Sequence, residues 1–371
     1  MPTATAAVLH DHHTDLQLAE IEVDDPRPDE VLVRIVASGV CHTDLSVRDD
    51  VTPFPLPGVL GHEGAGLVEA VGRDVTDVAV GDPVVISFAS CGRCQSCRHG
   101  HPVYCDTWGS LNLLDGTRAD GSATLALDGT SLHGHFFGQS SFSTLALAAA
   151  QSVVKVPEEA PLELLGPLAC GMQTGVQAVV NILRPAAGDT LVVFGAGAVG
   201  LSAVMAGANL TGATVIAVDI NPARLELADR LGAACTINAL EQDPVETVRS
   251  LTGGRGADHT LETTGVVSVL RQAVDSVGPR GTCGIIGAPR PDAEVALNVL
   301  DFIIKGIRLV GINQGDAVPR ESIPALVRLH QQGRFPFDEL VRFYDLADIN
   351  RALGDAAAGE VVKPIVRMPP R

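Results

Sequence analysis

The run Thr190-Leu-Val-Val-Phe194 leads straight into Gly195-Ala-Gly-Ala-Val-Gly200 and then into a further apolar stretch. An apolar strand, a G-x-G-x-x-G turn and a helix in that order admit few folds, because each glycine has its own steric duty. Gly195 permits the tight turn, Gly197 lets a diphosphate approach the backbone, and Gly200 lets the helix pack closely on the strand. The helix N-terminus then offers N–H groups and a positive dipole end to that diphosphate. Asp219 closes the next expected strand, about twenty residues on, where its carboxylate would accept hydrogen bonds from ribose hydroxyls. Its charge would repel a 2′-phosphate, which favours NAD over NADP. The plain alternative is an ordinary glycine turn with Asp219 capping a helix. Strand, turn, helix and acid all in register argue against it.

The surrounding pattern agrees. Strands are expected at 191–194, 215–218, 236–237, 259–262, 282–286 and 307–310, with helices at 223–231, 245–251 and 267–276. Repeated βα units imply a parallel sheet covered on both faces. Before this region the chain reads as short strands and turns, with Val31-Leu-Val-Arg-Ile-Val36 alternating and Gly and Pro frequent. After it, 323–332 reads as a helix and 360–367 as a last strand returning to the first domain. The expected division is 1–170, 171–311 and 312–371.

Composition narrows the function. With 371 residues, 46% hydrophobic and 19% charged, the chain suits a packed two-domain protein. A formal charge of -18 repels nucleic acid and anionic lipid, so neither is an expected partner. The stretch 190–218 has no charged residue and is long enough to cross a bilayer, but Gly195, Gly197, Gly200, Gly207 and Gly212 break it into strand, turn, helix and strand. No basic segment followed by an apolar core opens the chain, so the expected location is the cytoplasm. There clustered thiols bind metal more often than they form disulfides.

Eight cysteines fall into three groups. Cys91, Cys94, Cys97 and Cys105 form C-x2-C-x2-C-x7-C in a Gly-rich loop. Four thiolates this close enclose one tetrahedral zinc with no position open, a structural site that pins a lobe poor in apolar residues. His99 and His101 share the loop and read as surface residues. Unliganded thiols or a redox pair are the rival reading, which the spacing disfavours. Cys41 stands in Gly39-Val-Cys41-His42-Thr43-Asp44, His62 in Gly61-His62-Glu63-Gly64, and Cys170 in Gly166-Pro-Leu-Ala-Cys170-Gly171. Taken singly, each is a packing cysteine or a satisfied histidine. Brought together by folding, two cysteines and a histidine make a catalytic zinc site with an open fourth position. Cys235 and Cys283 read as packing.

These motifs, in this order, resemble the zinc-dependent medium-chain alcohol dehydrogenases over essentially the whole chain. Cys41-His-Thr-Asp-Leu-Ser-Val-Arg48, Gly138-Gln-Ser-Ser-Phe142, Leu164-Leu-Gly-Pro-Leu168 and Gln332-Gly-Arg-Phe-Pro-Phe337 are similar to the aryl (benzyl) alcohol dehydrogenase branch and its geraniol-oxidising relatives. The resemblance implies an α/β protein, with a GroES-like, irregular β-rich catalytic domain and a doubly wound, parallel-sheet Rossmann domain. It implies two zincs per chain and NAD. Cys41, His62 and Cys170 would hold catalytic zinc, Glu63 would stand behind it as a transient ligand, and Asp44 would orient His62. Thr43 would link the substrate oxygen to the nicotinamide ribose. His42 and Lys363 would reach the diphosphate, Thr174 would pack near the nicotinamide, and Arg224 is a further cofactor-binding position.

The implied reaction is the reversible oxidation of a primary aromatic or allylic alcohol to an aldehyde. Ser46 departs from the family pattern: many relatives carry a proton-relaying histidine there, and serine cannot store a proton. Ser87 replaces a bulky aromatic of some relatives, leaving room for a wide apolar site to which Phe88, Trp108, Phe136 and Phe137 are available. His10, His12, His13, His133 and His135 read as solvated, with His133 and His135 nearest the site. The expected partners are a small apolar alcohol or aldehyde and further copies of the chain, as homodimer or homotetramer. Two rivals remain open. A glutathione-dependent formaldehyde dehydrogenase shares the metal residues but needs a basic pocket, and a non-catalytic NAD(H)-binding zinc protein would lack Cys41, His62 or Cys170.

Overall fold

In the computed structural model, which describes residues 1–370, the apolar runs of the central region become six strands. They are β1 (Thr190–Phe194), β2 (Thr214–Asp219), β3 (Cys235–Asn238), β4 (Ala257–Glu262), β5 (Val277–Ile285) and β6 (Arg308–Gly311). Every neighbouring pair runs parallel, in the order β3-β2-β1-β4-β5-β6. This is the doubly wound arrangement, whose ligands sit beyond the carboxyl ends of the strands where the order reverses. Leu191 to Phe194 are fully buried on both faces, which is why β1 reads as a continuous apolar run and not an alternating one.

The intervening helices start where local chemistry dictates. Asn221 accepts the Ala223 N–H at 3.0 Å and opens Pro222–Arg230. Asp243 accepts from Val245 and Glu246 at 2.8 and 3.1 Å and opens Pro244–Leu251. In both, proline fills the first turn, where its missing N–H costs nothing.

The chain forms two units: Met1–Cys170 with Val318–Arg328 and Asp338–Arg371, and Gly171–Ala317 with Leu329–Phe337. This differs from the expected return of all of 312–371 to the first domain. Within the second unit Phe335 and Phe337 are fully buried with ring centroids 5.5 Å apart, and Arg334 donates to the Asn209 carbonyl at 3.1 Å. Burial of two aromatic rings holds this short segment there.

In the first unit the central strand is Glu30–Gly39, flanked by Gly64–Val71 and by Lys363–Arg367 and also paired with Leu145–Ala149, all antiparallel. A five-stranded sheet, running Gly58–Val59, Thr3–Leu9, Gln17–Val23, Leu125–Leu127, Thr130–Leu132, completes the β-rich part. The last strand matters most for the site. Its register pairs Ile365 with Gly39, and Val40 donates to the Pro364 carbonyl at 2.9 Å, so Lys363 arrives beside the segment that carries Cys41. No helix among the described residues is long and apolar enough to cross a membrane, so 190–218 is not a span.

Candidate functional site

Cys91, Cys94, Cys97 and Cys105 converge, their ligand atoms within 4.8 Å of one another. The loop aims its backbone at the sulfurs: Cys91 donates to Cys105 Sγ at 3.2 Å and Cys94 to Cys91 Sγ at 3.3 Å. Cys94 opens the short helix Gln95–Arg98, which turns Cys97 back toward the group. The backbone N–H of Arg93, more than any other group, pulls the Cys91 thiol down to about 6. Burial, then the neighbouring Cys94, pushes Cys97 up to about 12. Like charges this close cannot all ionise without a cation, and a tetrahedral zinc supplies one. His99 and His101 lie exposed, as expected.

A second group draws Cys41, His62, Glu63 and Cys170 to within 4.8 Å of one another. Cys41 precedes the helix His42–Arg48, and Asp44 in the first turn organises the centre. One oxygen of Asp44 accepts the Cys41 N–H at 2.9 Å; the other accepts the Gly61 N–H at 3.0 Å and faces His62 Nδ1 at 3.3 Å. The tautomer this favours leaves Nε2 for a metal. His62 Nε2 is buried and has no hydrogen-bond partner among the described residues. An orphaned imidazole nitrogen beside two thiols fits zinc with a position to spare.

The electrostatics match. Burial pulls the His62 imidazolium down, but Asp44 and then Cys41 outweigh it and push His62 up to about 10. The Cys170 thiol holds Cys41 well below the usual thiol range, and burial acts against it. Cys170 is held high by that same contact and by burial. Thr43 Oγ1 lies 3.8 Å from Cys41 Sγ. His42 is exposed at the start of its helix, and Ser46 donates to the His42 carbonyl at 3.1 Å. Ser87, buried, donates to the Ala169 carbonyl at 2.9 Å.

Two sequence readings require revision. Lys363 is 2% exposed and gives its ammonium to Glu63 Oε1 and Oε2 at 2.9 and 3.0 Å and to the Val40 carbonyl at 3.1 Å. Three donors meet three acceptors, so the cation serves Glu63 and not a diphosphate. Burial opposes the charge, but Glu63 outweighs it and holds Lys363 above the ordinary lysine range. Burial raises Glu63, and Lys363 works against that rise. His135, expected in solvent, is buried, and burial takes its imidazole down to about 4.

In the second unit the glycines meet their steric duties. Gly195 has φ 97°, and a Cβ on Gly200 would lie 1.8 Å from the Gly195 carbonyl. A Cβ on Gly197 would meet nothing within 4 Å, so that face of the turn is open. Asp219 Oδ2 accepts the Ala196 N–H at 2.6 Å, while Oδ1 accepts from Ile220 and Asn221 at 2.8 and 2.9 Å. The carboxylate therefore ties the end of β2 to the glycine turn. Arg224 follows on Pro222–Arg230, its Nε buried with no hydrogen-bond partner among the described residues. Open turn, fixed acid and orphaned guanidinium nitrogen fit a dinucleotide. Thr174, buried on Gly171–Gln177, lies 3.4 Å from Gln314. Cys283 is fully buried and Cys235 partly so, consistent with packing.

Known proteins decide the family. Residues 27–158 match the alcohol dehydrogenase GroES-like domain and 198–332 the zinc-binding dehydrogenase family. Geraniol dehydrogenase of Castellaniella defragrans is 45% identical over 366 residues, 98% of this chain and 97% of that one. The chain belongs to the zinc-dependent medium-chain alcohol dehydrogenases. Among solved members, benzyl alcohol dehydrogenase of Acinetobacter calcoaceticus superposes with a TM-score of 0.96 at 44% identity, over 100% of both chains. An alcohol dehydrogenase zinc-binding domain protein of Burkholderia ambifaria gives 0.97 at 51%, again over 100% of both.

Sequence reasoning missed two residues of this dehydrogenase's centre. Gln139, buried, accepts the Gly64 N–H at 3.0 Å and donates to the His62 carbonyl at 3.0 Å. Phe137, marked only as possible pocket lining, lies flat on the His62 ring, centroids 4.4 Å apart. Trp108 meets Phe137 edge-on at 5.7 Å, and Phe88 is buried in the core. The sole sequence signal for Gln139 was the run Gly138–Phe142, which marked the branch but not a role.

Proposed function

We propose that the chain catalyses the zinc- and NAD-dependent, reversible oxidation of primary aromatic or allylic alcohols, of benzyl, cinnamyl or geraniol type, to aldehydes. The observation that carries this is the convergence of two thiols and an unpartnered imidazole nitrogen in a buried site, in a chain with an open dinucleotide turn. Cys41, His62 and Cys170 would hold the catalytic zinc, and Cys91, Cys94, Cys97 and Cys105 the structural one. Zinc supplies Lewis acidity that brings an alcohol's pKa toward neutrality, and NAD supplies the hydride acceptor.

The chain's own residues do the rest. Thr43 takes the alcohol proton and passes it outward. Ser46 is committed to the His42 carbonyl, so release from there runs through water. Asp44 fixes the His62 tautomer, and Lys363 balances Glu63 so that the carboxylate does not stand uncompensated. Asp219 receives the adenosine ribose and repels a 2′-phosphate, which favours NAD. The aromatic group around His62 offers an apolar wall for a conjugated substrate, in keeping with the substrates named for the geraniol and benzyl alcohol relatives.

NADH formation on an alcohol panel, before and after chelation, tests this. Benzyl, cinnamyl and geranyl alcohols should turn over fastest, and chelation should abolish activity. Equal efficiency on ethanol would remove the substrate assignment.

One surface supports the expected assembly. Val299, Ile303 and Ile304 on the helix Val299–Lys305 are 72%, 72% and 73% exposed, and β6 is the edge of its sheet. An apolar helix beside an open edge supports the reading of a second copy of this chain as partner, in a homodimer or homotetramer. Thiols gathered as metal ligands and joined in no disulfide favour a cytoplasmic setting.

A further inference from the structure

Phe137 holds a backbone conformation that its side chain disfavours. It lies at φ 50°, ψ 34°, and Gly138 and Ser140 beside it have φ 66° and 52°. A bulky residue in the left-handed region is an outlier that persists only when its surroundings impose it. Here they do. Phe136 N–H donates to Ser140 Oγ at 3.0 Å, and Ser140 Oγ donates to the Val59 carbonyl at 2.6 Å. Ser141 and Phe142 donate to the Gly61 and Leu60 carbonyls at 2.8 and 3.0 Å. The turn is thus bonded to the segment just ahead of His62.

The same turn grips His62 itself. The amide of Gln139, 1% exposed, donates to the His62 and Ile86 carbonyls at 3.0 and 3.1 Å and accepts the Gly64 N–H at 3.0 Å. The Phe137 ring stacks on the imidazole at 4.4 Å with planes 21° apart, and Phe136 meets it edge-on at 5.2 Å. Asp44 holds the Nδ1 edge. A ring fixed at one edge and covered on a face cannot rotate, and its unpartnered Nε2 keeps one direction.

We propose that Phe137 and Gln139 are positioning residues: the strained turn exists to lay the Phe137 ring on His62 and preset the imidazole for the metal. The proposal rests on the reading of Cys41, His62 and Cys170 as zinc ligands. A ligand held in place before binding lets metal go slowly, because release must not be followed by rotation away.

The test is zinc release to a chromogenic chelator, with cobalt substitution to report ligand geometry. Phe137→Leu should speed release from this centre about tenfold or more and shift the cobalt bands, while release from the four-cysteine lobe stays unchanged. Phe136→Leu removes a ring of the same turn that is not stacked, and should change the rate far less. Should Phe137→Leu fail to fold, Phe137→Gly, whose backbone accepts this φ, should show the same acceleration. Equal rates for the Phe136 and Phe137 variants would overturn the inference and leave the zinc reading intact. A wild-type chain holding only the lobe's zinc would overturn both.

Discussion

The four-cysteine lobe takes all its ligands from one loop, Cys91 to Cys105, whose helices are the short Gln95–Arg98 and Pro102–Tyr104. The other centre gathers Cys41, His62, Glu63 and Cys170 from separate segments and leans on Lys363, 300 positions from Glu63. In the lobe the sulfurs accept local backbone N–H groups, and on the proposed reading zinc would tie the loop together. In the dispersed centre Asp44, Gln139, Phe137 and Lys363 fix the ligands first. On the proposed reading, metal would complete the first site and the fold prepares the second. A closed shell needs no such support, whereas a site that keeps a position open for substrate must hold its shape without a fourth protein ligand.

The sharpest way to break this contrast is His62→Ala. Turnover should fall by about 10³ or more, with the chain folded and the lobe's zinc retained, since Lewis-acid stabilisation accounts for several kcal/mol. Steady-state rates with zinc analysis check it. Lys363→Met comes next. It strands the Glu63 carboxylate in the interior and should cost about 3–5 kcal/mol in denaturant unfolding. A loss under 1 kcal/mol would show that the fold does not prebuild this centre. Asp44→Asn should weaken zinc at the dispersed centre about 10- to 100-fold and leave the lobe's affinity alone, read by competition with a chelator.

Proton linkage adds a pH dependence to metal binding. Metal-free His62 is protonated below about 10, and Cys170 is held as the thiol. Both protons must leave for metal to bind, so affinity should rise with pH through neutrality, on the order of tenfold per unit for each proton displaced. Chelator competition at pH 6 and pH 8 would measure the slope; a flat profile would mean that both groups have already lost these protons.

The same contrast explains what the sequence makes legible. Cys91, Cys94, Cys97 and Cys105 are neighbours in the chain, so spacing alone identifies their site. Strands β1 to β6 are legible because apolar runs and turns recur there with one period. Cys41, His62 and Cys170 show only as separate motifs until the order of all motifs suggests a family. The destination of Lys363 is invisible, because it depends on the register that pairs Ile365 with Gly39. His135 reads as solvated because nothing in its neighbours announces that the fold will bury it. Phe137 is the hardest, since residue type argues against the φ it adopts. The departure of Leu329–Phe337 from the first unit likewise rests on where two rings find cover.

The most direct test of the account is zinc content and NADH formation measured together on the wild-type chain and on Cys170→Ser. The wild type should hold two zincs per chain and oxidise benzyl or geranyl alcohol, while Cys170→Ser should hold one, keep its fold and form no NADH. A Cys170→Ser chain that turned over at the wild-type rate, or a wild type active with the lobe's zinc alone, would contradict it.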